Sequence, residues 1–178
     1  ELNSKKELLI YSYRVAGTVG LMMAKILKVE KKEALVGAVD LGIAMQLTNI
    51  SRDVIEDLNN NRFYINSNFE TIKDTLKLAD KFYENSFRSI KEIPLSLRFA
   101  ILVARRVYRK IGYKIIQTNN FEAYKNSGKI FVNNFGKLIE TSMSIYDLLK
   151  LYFTTDKMNL TENEHLLINE EINLYERI

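Results

Sequence analysis

One proline in 178 residues, Pro94, and only seven glycines leave this chain few places to turn tightly. A β-sandwich or barrel needs turn-formers between every pair of strands, and no alternating apolar–polar stretch of any length is present to supply the strands. What recurs instead is helical periodicity broken by short polar links. The spacing predicts helical regions over 5–27, 31–58, 69–93 and 95–118, with Pro94 punctuating the third. A basic, glycine-bearing segment, Lys125 to Lys137, leads into or lies within a fifth that ends near Thr154. Thr161 and Glu164 read as a capping box for a terminal helix over 162–177. The fold class is all-α, a helical bundle in a single domain 1–178.

Hydrophobic residues make up 47% and charged residues 27%, the composition of a folded protein with room for one substantial core. With no cysteine there is neither a disulfide nor a thiolate metal site. A net charge of +4 suits anionic ligands or lipid surfaces. No zinc-finger or RNA-binding aromatic signature accompanies it, so a nucleic-acid partner is not expected. The most apolar run, Val15 to Ala24, is too short to cross a bilayer, and no signal-peptide pattern precedes it. A cytoplasmic protein, compatible with peripheral association at the inner membrane surface, is the expectation. Glu1 stands directly before a helical pattern, and the chain reads as the later part of something longer.

The stretch NISRDVIEDLNNNRFYI carries Asn49, Asp53, Glu56 and Asp57 at helical spacing, with Gln46 one turn earlier. The other faces of this helix hold Leu41, Ile43, Ala44, Leu47, Ile50, Val54 and Leu58. A helix apolar nearly all round belongs inside a protein, and its polar stripe then has to face a cavity. Asn and Asp oxygens one turn apart suit a hard cation such as Mg²⁺. Spacing alone equally accommodates a solvated acidic face. An EF-hand does not fit, because Arg62 stands where the loop needs glycine and Asn68 where it needs glutamate.

Ala16, Gly20 and Ala24, with Gly17 beside them, form a small-residue stripe that admits a second backbone or a long apolar ligand. Close helix packing is the preferred reading. Asp74 and Asp80, among Lys73, Lys77 and Lys81, read as a solvated helix face, and His165 beside Glu164 as a surface residue. Lys125, Lys129 and Lys137 suit diphosphate or lipid headgroups and equally a solvated face. Leu167, Ile168, Ile172, Leu174 and Tyr175 mark the terminal helix for core docking, with homo-oligomerisation or a helix swap as the alternative.

YSYRVAGTVGLMMAKIL (11–27) and AVDLGIAMQLTNISRDVIEDLNNNRFYI (38–65) together resemble the squalene/phytoene synthase family, the head-to-head trans-isoprenyl diphosphate synthases. ARRVYRKIGYKI (104–115) and FEAYKNSGKIFVNNFGKL, which follows it, are weaker matches. Tyr13 to Gly20 is closest in flavour to bacterial phytoene synthases. The resemblance implies a partial isoprenoid (terpenoid) synthase fold. It implies that Asn49, Asp53 and Asp57, with Glu56 adjacent, form the second aspartate-rich motif and hold Mg²⁺, with Mn²⁺ as an alternative ion. Gln46 would line the same cavity, and Arg52 and Arg62 would lie near the diphosphates. Tyr13, Val15, Gly17 and Val19 would line a prenyl channel, and Tyr64 and Tyr108 would stand near the site.

The activity so implied is condensation of two prenyl diphosphates through a cyclopropylcarbinyl diphosphate. Phytoene from geranylgeranyl diphosphate is the first expectation. Squalene or dehydrosqualene from farnesyl diphosphate is the second, with NADPH needed only for squalene. A non-catalytic isoprenoid-binding or assembly-factor role stands as the alternative of another class. The family's first aspartate-rich motif lies well upstream of the VAG helix, and residues 1–10 do not supply it. The chain is therefore expected to cover only the C-terminal portion of the family's domain.

Overall fold

The computed structural model describes residues 2, 4–154 and 160–178. Among them no strand occurs. The first predicted helix forms as α1 (Lys5–Ser12) and α2 (Thr18–Ile26), joined through one wide π-turn over Tyr13–Gly17. The second is divided into α3 (Lys32–Arg52) and α4 (Val54–Asn59) by Asp53. Next come α5 (Phe69–Phe87), a short 3₁₀ turn over Arg88–Glu92, and α6 (Leu95–Ile116), which starts directly after Pro94. The basic segment opens with a short helix not expected from the sequence, α7 (Phe121–Asn126), ahead of α8 (Asn134–Phe153). The terminal region is α9 (Glu162–Ile172) and α10 (Leu174–Arg177), broken by Asn173 in the left-handed conformation (φ 51°).

Helix α3 is the centre of the bundle, packed by α2, α5 and α6. Among the described residues it alone is long and apolar enough to span a membrane by length and composition, yet most of it is buried. Val39, Ile43, Ala44 and Leu47 meet Leu9, Phe82 and Tyr83 in the main core, where Ile168, Ile172 and Leu174 also dock. A second core joins Val54 to Ile72, Leu76, Ile111, Ile115 and Tyr124. Asparagine side chains cap three helices: Asn68 accepts from the Thr71 amide, Asn120 from Ala123 and Asn133 from Gly136.

The small-residue stripe packs backbone on backbone. A Cβ on Gly20 would stand 2.2 Å from the Ala38 carbonyl oxygen, and one on Gly42 would stand 2.3 Å from that of Ala16. The π-turn and α2 therefore approach α3 so closely that a methyl group at Gly20 or Gly42 would collide with main chain.

Four expectations are corrected. His165 is buried rather than on the surface. Its Nε2 lies 2.6 Å from Oδ1 of the fully buried Asp40, whose other oxygen accepts from Asn85 and Thr161. Thr161 forms no capping box, because its hydroxyl is spent on Asp40 and Glu164 turns inward to Lys5 and Lys81. Asp80 is no free surface charge, since it grips the Arg109 guanidinium and accepts from the Tyr113 hydroxyl; Asp74 does pair on the surface with Lys77. Leu167 and Tyr175 lie on the exposed side of the terminal segment, and Ile168, Ile172 and Leu174 do its docking.

Helix α8 docks through a mixed face: Leu151 packs against Ile90 and Leu102 in an apolar cluster, and the rest of its inward side is polar. It turns Glu140, Ser144 and Asp147 inward, where Arg106 of α6 bridges both carboxylates at 2.9 Å. Phe135, Leu138, Ile145, Tyr146, Leu149 and Phe153 face outward.

Helix propensity alone makes Gly42→Ala stabilising by about 1 kcal/mol. The backbone contact reverses that sign, and we expect a net loss of about 3 kcal/mol, or about 10 °C in Tm. Gly128→Ala, in open space but at φ +64°, should cost only about 1 kcal/mol. Urea midpoints followed by circular dichroism compare the two; a neutral Gly42→Ala would refute the close packing.

Candidate active site

The polar stripe of α3 and α4 begins with Gln46, half-buried, and Asn49 one turn on. Asn49 is held by a helix that cannot rotate, since its other faces fill the core. Its Oδ1 is buried and has no hydrogen-bond partner among the described residues. Such an orphan oxygen is costly in an apolar surround and is the position where a ligand would satisfy it.

At Asp53 the helix breaks, with φ −102° and ψ 15°. The Asp53 amide still donates to the Asn49 carbonyl at 2.9 Å, and the Asp57 amide to the Asp53 carbonyl at 2.8 Å. The Asp53 carboxylate takes a two-pronged bond from its neighbour Arg52, Nε to Oδ1 at 2.8 Å and Nη2 to Oδ2 at 2.6 Å. That hydrogen bond raises the Arg52 pKa beyond its ordinary value. Lys129 reaches Glu56 at 2.8 Å and stands 3.9 Å from Asp53. Glu56 is exposed and turned toward that lysine.

Asp57 is half-buried at the far end of the stripe. Burial, and then the negative charge of Asp53, push its carboxyl above the usual range; Arg62 opposes the rise and Glu56 adds to it. Asn61 in the left-handed conformation (φ 54°) turns the chain back so that the Arg62 amide donates to the Asp57 carbonyl at 2.8 Å.

The aromatic positions separate. Tyr64 is half-buried and contacts Tyr11, ring centroids 4.9 Å apart and hydroxyls 3.2 Å apart. Burial and the Tyr64 hydrogen bond push the Tyr11 phenol up to about 12. Tyr108 packs half-buried at the seam of the two cores, near enough to Arg52 to influence its charge. Tyr13, by contrast, is buried in the main core beneath Gly17, while Val15 and Val19 stand exposed on the outer side. Tyr11 was not singled out from the sequence, although stepping one helical turn back from Val15 reaches it.

Among the described residues no three carboxylate or imidazole groups converge as a metal cage. The stripe offers one neutral oxygen and two carboxylates, and the orphaned Asn49 Oδ1, with Asp53 one turn on and Asp57 two, is a donor set of the kind a divalent cation takes as part of a larger oxygen shell.

Residues 1–68 match the family model described as squalene/phytoene synthase. The chain is 36% identical over 131 residues to a 15-cis-phytoene synthase of Enterobacter agglomerans, a match covering 62% of this chain and 44% of that protein. It is 59% identical over 64 residues to a phytoene synthase of Thermus thermophilus, covering 36% of this chain and 22% of that one. A crystal structure of a dehydrosqualene synthase in complex with ligand superposes with a TM-score of 0.71 at 27% identity, over 84% of this chain and 59% of the other. The chain spans less than half the length of the Enterobacter relative.

A carboxyl whose pKa is raised by folding favours the folded state below its unfolded value, and that stability is lost as pH rises through the folded value. Asp57→Asn should therefore raise Tm by about 2 °C at pH 7. The gain should vanish below about pH 4, where both forms are neutral. Differential scanning calorimetry across that range reads the difference; a variant less stable at pH 7 would mean that Asp57 is paired rather than strained.

Proposed function

We propose, for a chain that belongs to the squalene/phytoene synthase family, that it supplies the second metal-binding half of a site joining two prenyl diphosphates head to head. Geranylgeranyl diphosphate to phytoene is the favoured pair, in keeping with the phytoene synthases it resembles. The observation that carries this reading is the buried, unpartnered Asn49 Oδ1 one helical turn from Asp53 and two from Asp57. Asn49, Asp53 and Asp57 would hold Mg²⁺, and bound magnesium would supply charge neutralisation for the departing diphosphate.

The chain's own groups take the remaining tasks. Arg62, exposed beside Asp57, and Arg52 offer guanidinium donors to diphosphate oxygens. Arg52 must release at least one Asp53 oxygen to do so. The Tyr11–Tyr64 pair and Tyr108 would offer ring faces to an allylic cation. Val15 and Val19, exposed in this chain, would become an apolar wall for the prenyl tail once a further helix or a second copy covers them. In the first half-reaction one diphosphate leaves, the allylic carbon bonds to the double bond of the second molecule, and loss of a proton from that carbon closes a second carbon–carbon bond to give the cyclopropylcarbinyl diphosphate. In the second the remaining diphosphate leaves, the skeleton rearranges, and another proton is lost, giving phytoene without a reductant; squalene needs a hydride from NADPH instead. The outward apolar faces of α2 and α8 support further helices, or a second copy of the chain, covering this half-site.

One observation favours a non-catalytic isoprenoid-binding member instead: both Asp53 oxygens are already taken by Arg52.

The test is incubation of the 178-residue chain with geranylgeranyl diphosphate and Mg²⁺, with farnesyl diphosphate plus NADPH in parallel, analysing hydrocarbons by mass spectrometry and diphosphate binding by calorimetry. We expect Mg²⁺-dependent binding that weakens about tenfold in Asp57→Asn, with phytoene as the hydrocarbon formed. Squalene would move the assignment to the farnesyl branch. Binding indifferent to Mg²⁺ and to Asp57→Asn, without hydrocarbon, would refute the catalytic reading.

A further inference from the structure

We propose that Tyr124 is a positioning residue for the metal-binding stripe: its hydroxyl holds open the helix break at Asp53 and so sets the direction of α4, and with it Asp57, relative to Asn49. This rests on the metal reading above. In an unbroken helix the angle between Asn49 and Asp57 would follow from helix geometry alone. Here Asp53 leaves the helical conformation, so the direction of Asp57 depends on whatever fixes the break.

Tyr124 is placed to do that. It projects from α7, which Asn120 caps, into the core formed by Val54, Ile72, Leu76, Ile111 and Ile115, and only 3% of its surface is exposed. Its hydroxyl proton is shared between the carbonyl oxygens of Arg52, at 2.8 Å, and Ser51, at 3.1 Å. These are the two peptide groups immediately before the break. A continuous helix would direct them to amides one turn ahead, and a buried carbonyl turned away from the ladder needs another donor. The same segment reaches the other side of the break through Lys129, bonded to Glu56. Burial, and after it the charges of Asp53 and Asp57, push the Tyr124 phenol up to about 12, so it remains a donor throughout the neutral range. Neither the apolar stripe of α3 nor the acidic stripe names a group 72 residues away in sequence.

The decisive variant is Tyr124→Phe, which keeps the ring and removes the hydroxyl. Hydrogen exchange of the amides over 54–59 reads the break, and titration of the full chain with Mn²⁺ alone, followed by electron paramagnetic resonance of the free ion, reads the ligand set. Tyr124→Phe is expected to speed exchange over α4 about tenfold while α9 keeps its protection, and to weaken Mn²⁺ about tenfold. Ile115→Val, which trims the same core, should lower Tm without moving either reading. Unchanged exchange over α4 would overturn the brace. Faster exchange with unchanged Mn²⁺ affinity would leave Tyr124 a packing residue and overturn its positioning role. If the wild-type chain binds no Mn²⁺, the metal reading of the stripe falls, and the exchange rates then decide for or against the brace by themselves.

Discussion

The backbone contact between α2 and α3 governs the rest of the molecule. With Gly20 against Ala38 and Gly42 against Ala16, the two helices cannot slide or rotate without a collision between main chains. That fixes which side of α3 is left over. One flank is taken by α2, another by α5 and α6, and the remaining strip carries Gln46 and Asn49. A central helix locked on its apolar sides is a rigid mount for polar groups, which a surface helix is not.

The choice of groups on that mount follows from the cost of burying charge. The innermost oxygen belongs to Asn49, which is neutral and so bears desolvation far better than a carboxylate would. The carboxylates come later, where the helix breaks and solvent and cations are nearer. Asp53 is neutralised by Arg52, and Asp57 is held against its preference for charge by burial and by Asp53. A cation on this stripe would relieve both the orphan amide oxygen and the crowding between carboxylates. The hydrogen bonding of Asn49 and the electrostatics of Asp57 are thus two expressions of the same burial.

What the sequence disclosed was periodic, and what it concealed was long-range. The helices were legible because their apolar residues repeat every turn, and the small-residue stripe was legible because Gly17 and Gly20 stand on one helix. The break at Asp53 was not, since neither proline nor glycine marks it. His165 was misread because its sequence neighbours are Asn163, Glu164 and Asn169, whereas the partner that draws it inward is Asp40, 125 positions earlier. Asp80 was misread the same way: its lysine neighbours suggested solvent, while Arg109 on α6 supplied the partner. Tyr13 and Tyr11 differ by two residues, which on a helix is a half-turn, and the π-turn between them and Gly17 shifts the phase further.

Helix α8 shows why amphipathicity gives a face but not its direction. Apolar residues over 134–153 occupy most of the helix circumference, and hydrophobic drive alone would place Leu138, Ile145 and Leu149 against the bundle as readily as Leu151. Arg106 decides otherwise. A guanidinium bridging Glu140 and Asp147 at 2.9 Å, with both carboxylates nearly buried, anchors the polar side inward, and leaving any one of the three unpaired there would be strongly destabilising. Leu151 on the same inward side packs against Ile90 and Leu102, so charge pairing and apolar packing together leave the other apolar side chains of α8 exposed. Exposed apolar patches of this extent mark surfaces built to be covered. The polar stripe on a locked helix and the outward apolar residues of α8 are two consequences of one architecture, a bundle organised around α3.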